Sequence, residues 1–278
     1  MSKSLGALWR DRFELDNPAL GGESPDPAVE KLLAHRTQRL YTDDPIPAPV
    51  LDTLIAAALS AATKSDLQQV SFIRIRDRAL RERIGGLLPG MPWIVQAPEF
   101  FVVCGDNRRI RRVCELRGLP YENDTMDAVL NATIDAAIAM QQMVCAAEIM
   151  RLGCCHISHV RDHVETIAEM LAIPDHVFPI SGLCVGYPAR KGFVSVRLSP
   201  AATIHTDRYD DSRLADEIDG YDRRRAGRYA IPAEKYKHTE RFGTPEFYGW
   251  SEDKARQMAV DDGSTMRAYL ERAGFALG

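Results

Sequence analysis

The chain of 278 residues carries a formal net charge of -4, with 45% hydrophobic and 27% charged residues. That composition describes a globular chain able to bury a core in one large domain or two small ones, and it argues against disorder and broad nucleic-acid binding. Six cysteines (104, 114, 145, 154, 155 and 184) are too sparse for a disulfide scaffold, and the N-terminal MSKSLGALWRDRFELD lacks the apolar stretch of a secretion signal. No run of about 18 apolar residues suggests a membrane span. The expectation is a cytoplasmic protein with reduced thiols and neither a nucleic-acid nor a membrane partner.

Asp26 as cap and Pro27 in the first turn predict a short helix through about Ala34, and Pro47 to Ala62 has the apolar spacing of a second. Val70-Ser71-Phe72-Ile73-Arg74-Ile75 alternates as a strand does. Glu99 to Cys104 is nearly continuous, as in a strand buried on both faces. The strongest helix signal runs from about Asp124 to Leu152, apolar almost all round with Asn131, Asp135, Gln141 and Gln142 as its polar breaks. Such a helix needs burial on most sides or a subunit interface, and Gly153 is read as its stop. Next come a short strand from Cys154 to Ser158, a helix over about Asp162 to Ala172, and a buried strand from Phe178 to Pro188. Beyond Ala189 the pattern loosens into a basic linker, a charged helix over about 211–229, an aromatic-rich loop through Trp250 and closing helices to about Ala273. Interleaved helices and strands indicate an α/β or α+β fold, without internal repeats.

Ahead of the turn Thr42-Asp43-Asp44-Pro45 lies His35-Arg36-Thr37-Gln38-Arg39-Leu40-Tyr41. Arg36 and Arg39 are three apart, so a helical turn would put both guanidiniums on one face, where they can grip a phosphate or an electron-rich ring edge. A solvated helix end is the alternative. Cys154, Cys155, His156, His159 and His163 invite a zinc reading, but adjacent cysteines on a strand point to opposite faces and no CxxC pair completes a tetrahedral set. No metal is expected. There is no GxSxG elbow, no GxGxxG after a strand and no GxxxxGK[ST] loop; Gly85-Gly86 and Gly182 have ordinary turn or strand contexts. A phosphate-bearing cofactor would therefore be held by side-chain arginines, with Arg36, Arg39 and Arg197 the candidates. The clusters Arg108 to Arg112 and Arg223 to Arg225 read as solvated faces.

Five blocks occur in this order: HRTQRLYTDDPIP, ALSAATKSDLQQVSFIRIRD, VQAPEFFVVCGD, the helix from Asp135 to Leu152 into GCCHISHVRDH, and LAIPDHVFPISGLCVGYPA. Together they resemble the flavin-dependent nitroreductase superfamily, in particular its branch of NADPH-dependent flavin reductases and oxygen-insensitive nitroreductases. The likeness runs from about residue 28 to 205. It implies an α+β, nitroreductase-like fold with a central, mainly antiparallel sheet wrapped by helices, an intertwined homodimer, and FMN as cofactor. Residues 1–205 would form the FMN-binding core, and 206–278 a C-terminal helical excursion and tail packing on the dimer. By the same resemblance His35, Arg36, Thr37 and Arg39 bind the FMN phosphate and ring edge, and Thr63, Ser65 and Gln68 belong to a flavin-binding loop. Met91 stands where an amide side chain often reaches the flavin, and His156, Ile157, Ser158 and His159 lie beside its N5 edge. Ser195 and Arg197 follow the GYPA strand, Arg197 as a basic FMN ligand.

The implied activity is an FMN-dependent NAD(P)H oxidoreductase, a nitroreductase or a flavin or quinone reductase, passing two electrons as hydride by a ping-pong route. A flavin carries such chemistry, so no side-chain nucleophile is needed. Alternatives are a specialised relative such as a reductive dehalogenase or flavin-consuming enzyme, or a flavin-binding and delivery protein with little turnover of its own. Departures from the family pattern bear on them. Ser158-His159 replaces Gly-Gly, Ser195 replaces a lysine, and in the tail Arg241 survives while Glu246 and Gly263 occupy two places where relatives use arginines for the 2'-phosphate of NADPH. A carboxylate there disfavours that phosphate, which points toward NADH. Ser65 and Asp66 are candidates for the acceptor pocket, with a helix-capping role the alternative for Asp66. His159 is a candidate proton donor, with a structural hydrogen bond as its alternative.

Overall fold

The computed structural model describes residues 3–261 and 263–277. Two units pack separately: Met1–His35 with Phe193–Asp262, and Arg36–Gly192 with Gly263–Gly278.

The second unit is built on one antiparallel sheet of order β1-β2-β4-β3, where β1 is Val70–Arg74, β2 Glu99–Asp106, β3 Gly153–Ile157 and β4 Val177–Gly186. The two central strands, β2 and β4, are buried along their whole length, as their unbroken apolar runs require. One face of the sheet packs on α3 (Ala48–Leu59), α7 (Met126–Ile149) and α12 (Met266–Arg272); Phe101, Met143, Leu183 and Tyr269 meet there. The other face covers α4 (Arg78–Leu87), α5 (Trp93–Gln96) and α8 (Val164–Met170), through Ile84, Ile94, Phe100 and Ile167. This is the α+β arrangement that the resemblance implies. Cys154 and Cys155 fall into opposite clusters, as neighbours on a strand must.

Pro179 inside a central strand needs an account, because proline cannot donate to a ladder. It lies beyond the span of β4 that pairs with β3, which runs only from Gly182 to Gly186. On the β2 side the register slips between Val103 and Cys104, whose partners are Ser181 and Pro179. The carbonyl of Ile180, left out of that register, accepts from Arg161 Nη1 at 2.6 Å.

Several expectations are corrected. α7 ends at Ile149, and Arg151, not Gly153, takes the left-handed conformation with φ 68°. Gly153 instead opens β3, where a Cβ would collide with the side chain of Gln38. Gly85 and Gly86 lie within α4, not in a turn. Ser158 is not the end of a strand but the start of a 3-10 turn, Ser158–Arg161, and His163 precedes α8, so His159 and His163 share no helical face. The basic cluster at Arg108 is the helix α6, Arg108–Leu116. Among the described residues only α7 is long and apolar enough to cross a membrane, and it lies against the sheet with ten buried positions.

The first unit contains α1 (Leu5–Phe13), α2 (Pro27–Leu33), α9 (Leu214–Arg228), α10 (Thr239–Phe242) and α11 (Trp250–Met258). Asp26 caps α2 by accepting from the Ala28 N–H, with Pro27 in the first turn. Asp222 of α9 accepts the Ser251 N–H at 3.0 Å, so one helix caps the start of another, α11.

Candidate functional site

Residues 36–41 are extended chain rather than a helical turn. Thr37 bridges in parallel to Cys154, and the Gln38 N–H donates to the Cys154 carbonyl at 2.9 Å; Tyr41 bridges to Pro188. The segment thus extends the sheet beyond β3, and its side chains alternate. Gln38 is buried while Thr37 and Arg39 are exposed. Arg36 and Arg39 therefore do not share a face by helical spacing; Arg39 shares its side with Thr37. The Arg39 guanidinium carbon lies 5.4 Å from the ring centroid of Trp93. Arg36 Nε is buried without a hydrogen-bond partner among the described residues. Neither arginine has a carboxylate partner among the described residues.

Behind this segment lie three buried thiols. Burial pushes Cys154 and Cys184 far up. It raises Cys155 too, against the positive charge of Arg39. All three stay protonated at neutral pH and act as small hydrophobes. Burial, then the neighbouring Cys184, raises the Tyr41 hydroxyl, which remains a donor and donates to the Gln38 carbonyl at 2.7 Å.

Thr63, Ser65, Asp66 and Gln68 come together in one loop ahead of β1. Ser65, Asp66 and Gln68 all have positive φ, at 50°, 57° and 52°, a conformation that residues with a Cβ rarely adopt. Buried Asp135 of α7 ties the loop down. It accepts from Thr63 Oγ1 at 2.7 Å, the Lys64 N–H at 2.9 Å and the Gln69 N–H at 3.1 Å. Thr63 Oγ1 in turn accepts the Gln68 N–H at 2.8 Å. From the other side Arg109 donates to the Gln68 carbonyl at 2.5 Å. Asp66 caps no helix: its carboxylate accepts from Gln68 Nε2 at 3.0 Å. The side chains of Ser65, Asp66 and Gln68 are exposed.

His156 is the exposed position of β3, Ile157 is buried beneath it, and Ser158 and His159 are exposed in the following 3-10 turn. Met91, like Trp93 and Tyr41, is partly buried against the apolar cluster that also holds Ile157. Among the described residues no group of three or more His, Cys, Asp or Glu is gathered as a metal would need.

In the first unit, His35, Ser195 and Arg197 are brought together by a residue that the sequence reading missed. Arg12 of α1 donates from Nη1 to the Ser195 carbonyl at 2.8 Å and from Nη2 to the His35 carbonyl at 2.9 Å. Its own carbonyl accepts the Arg197 N–H at 2.8 Å. Arg241 lies in α10, exposed, its guanidinium 5.0 Å from the Phe242 ring centroid, and Glu246 is exposed in the loop that follows. That loop hangs on Arg256 of α11, which donates to the carbonyls of Lys237 and Gly243 at 3.0 and 2.8 Å. Sequence reading missed Trp93, Arg109 and Arg256 as well. Asp135 alone left a signal, as a charge inside an apolar helix.

The Nitroreductase family model matches residues 32–187, and the model of that family's C-terminal domain matches residues 195–278. The chain is 32% identical over 253 residues to an oxygen-insensitive NADPH nitroreductase of Salmonella typhimurium, covering 90% of this chain and 98% of that protein. It is also 32% identical to an FMN reductase [NAD(P)H] of Bacillus subtilis over 250 residues, 89% of this chain and 97% of the relative. Among solved structures, B. megaterium NfrA2 superposes with a TM-score of 0.82 at 30% identity, covering 91% of this chain and all of that one (100%).

Proposed function

This chain belongs to the nitroreductase family, and on that premise we propose how its own residues serve the family's chemistry. It is an FMN-dependent NAD(P)H oxidoreductase. The acceptors proposed are nitroaromatics, quinones or free flavin, taken in turn with the nicotinamide by a ping-pong route. One observation carries the assignment of the cofactor site. Arg36 Nε is a buried donor with no hydrogen-bond partner among the described residues, and no carboxylate among them neutralises Arg39 three positions on; an anionic phosphate or a ring oxygen is what each of the two lacks.

Bound FMN would supply two-electron redox chemistry between the nicotinamide and the acceptor. The chain's own part is to bind and orient. Arg36 and Arg39 would hold the phosphate and the pyrimidine edge, with Thr37 beside them. Thr63, Ser65 and Gln68 would offer hydroxyl, amide and backbone groups from their loop. Met91, His156, Ile157, Ser158 and His159 would wall the ring, with the imidazole of His159 as proton donor to the acceptor. His35, Ser195 and Arg197 are assigned to FMN residue by residue, Ser65 and Asp66 to the acceptor, and Arg241 to the nucleotide donor. The division into an FMN-binding core over 1–205 and a C-terminal excursion over 206–278 belongs to the same proposal, as does a cytoplasmic location.

The test is the visible spectrum of the purified protein, followed by anaerobic addition of NADH and NADPH separately. Flavin absorption that bleaches with a nicotinamide supports the reading. A colourless protein that also takes up no added FMN overturns it.

A homodimer is supported by α7, whose Met126, Leu130, Ile134 and Ile138 form an exposed apolar stripe at four-residue spacing. Sedimentation should show a dimer, and Ile134→Asp should yield monomers. A wild-type protein that stays monomeric at micromolar concentration would refute the dimer.

A further inference from the structure

We propose that Asp135 and Arg109 are positioning residues of the flavin site, fixing the loop 63–69 while touching neither cofactor nor substrate. The inference rests on the functional reading above. Three consecutive facts support it. The loop holds Ser65, Asp66 and Gln68 in left-handed conformations that cost a residue with a Cβ free energy, and beyond the loop's own bonds from Gln68 to Thr63 and Asp66 the surroundings hold them there. A cavity of about 240 Å³ lies against the loop, lined by Thr63, Gln68, Val70, Arg109, Asp135 and Ala139. Tight packing therefore does not hold the loop at this side; polar ties do. Those ties converge on two side chains. Asp135, 3% exposed, takes three donors from the two ends of the loop, Thr63, Lys64 and Gln69. Arg109 holds the Gln68 carbonyl, and it is itself fixed on the Val70 carbonyl at 3.1 Å, Ser71 Oγ at 2.9 Å and Asp106 at 3.0 Å. The exposed side chains of Ser65, Asp66 and Gln68 are thereby aimed from a frame with one buried carboxylate and one guanidinium as its pins.

A carboxylate is the right group for the first pin, because it only accepts, and all three loop groups facing it donate. Asp135→Asn keeps the size but turns an amide N–H₂ toward those donors. Its FMN dissociation constant is expected to rise about tenfold, with an altered visible circular dichroism of the bound flavin. Arg109→Met is expected to raise it about threefold, and Arg109→Lys to recover part of that loss. Asp127→Asn, exposed in the first turn of the same helix, serves as the control and should match wild type. A merely structural role would lower the melting temperature of the apoprotein and leave flavin affinity and dichroism unmoved; that result overturns the proposal. Should Asp135→Asn fail to fold, Arg109→Met decides alone, and wild-type affinity there overturns it. A wild-type protein that binds no FMN would instead bring down the functional reading, and this inference with it.

Discussion

Two loops, 63–69 in the second unit and 237–248 in the first, each have backbone groups gathered by a buried charge, and the two charges are of opposite sign. Asp135 gathers donors, the Thr63 hydroxyl and the Lys64 and Gln69 N–H groups. Arg256 gathers acceptors, the carbonyls of Lys237 and Gly243, with Phe242 further off at 3.4 Å. A carboxylate only accepts and a guanidinium only donates, so the sign of each pin follows from which backbone groups its loop turns inward. The pins differ in how their charge is met. Arg256 pairs with Glu252 at 2.7 Å and lies over the rings of Phe242 and Tyr248, whereas the bonds of Asp135 come from neutral groups. These two buried ions thus set loop geometry through backbone groups.

The largest effect is expected at Asp135. Asp135→Ala strands three donors and should cost about 4 kcal/mol, read as the shift in urea midpoint; a loss below about 1 kcal/mol would mean the loop holds itself. Arg256→Met keeps an apolar stem but loses the fork, and about 2 kcal/mol is expected, with faster proteolysis within 237–248. If that segment stays equally resistant, Arg256 is no pin. The outward side chains of the second loop sharpen the contrast. The protein should favour NADH, and Glu246→Lys should move the ratio of kcat/KM toward NADPH by about tenfold. A wild-type kcat/KM for NADPH at least about tenfold above that for NADH would refute the role given to Glu246.

The smallest effect concerns pH. Burial pushes the Asp253 carboxyl up, but Lys254 and Lys237 outweigh it and hold it below the ordinary aspartate value. A depressed folded-state pKa contributes stability that is present above the ordinary aspartate range and lost as pH falls through and below it. Since Asp253 also meets Tyr248 Oη at 3.3 Å, acid should loosen the 237–248 loop first. Asp253→Asn should flatten that acid limb by less than about 1 kcal/mol; an unchanged limb would assign the acid response elsewhere.

Much of this protein was legible in its residues alone. The continuous run Glu99 to Cys104 and the strand around Gly182 are central strands because only a strand covered on both faces tolerates that apolarity. Asp26-Pro27 marks a helix start through local hydrogen bonding, and α7 follows from its periodicity. The order of five blocks indicated the family before any contact was known. Local signals misled at Arg36 to Tyr41, where spacing suggests a helical face but pairing with β3 imposes extended chain, and at Arg151, which ends α7 in a conformation usually left to glycine.

Element types, the family and the residue types able to grip a phosphate were therefore determined by the sequence itself, because periodicity, caps and composition act over a few neighbouring residues. Which polar groups meet was decided only by the tertiary structure. Asp135 stands 72 positions from Thr63, and Arg12 stands 183 from Ser195. Such partners are chosen by how the helices lie against what they cover, and each buried charge must find its complement there.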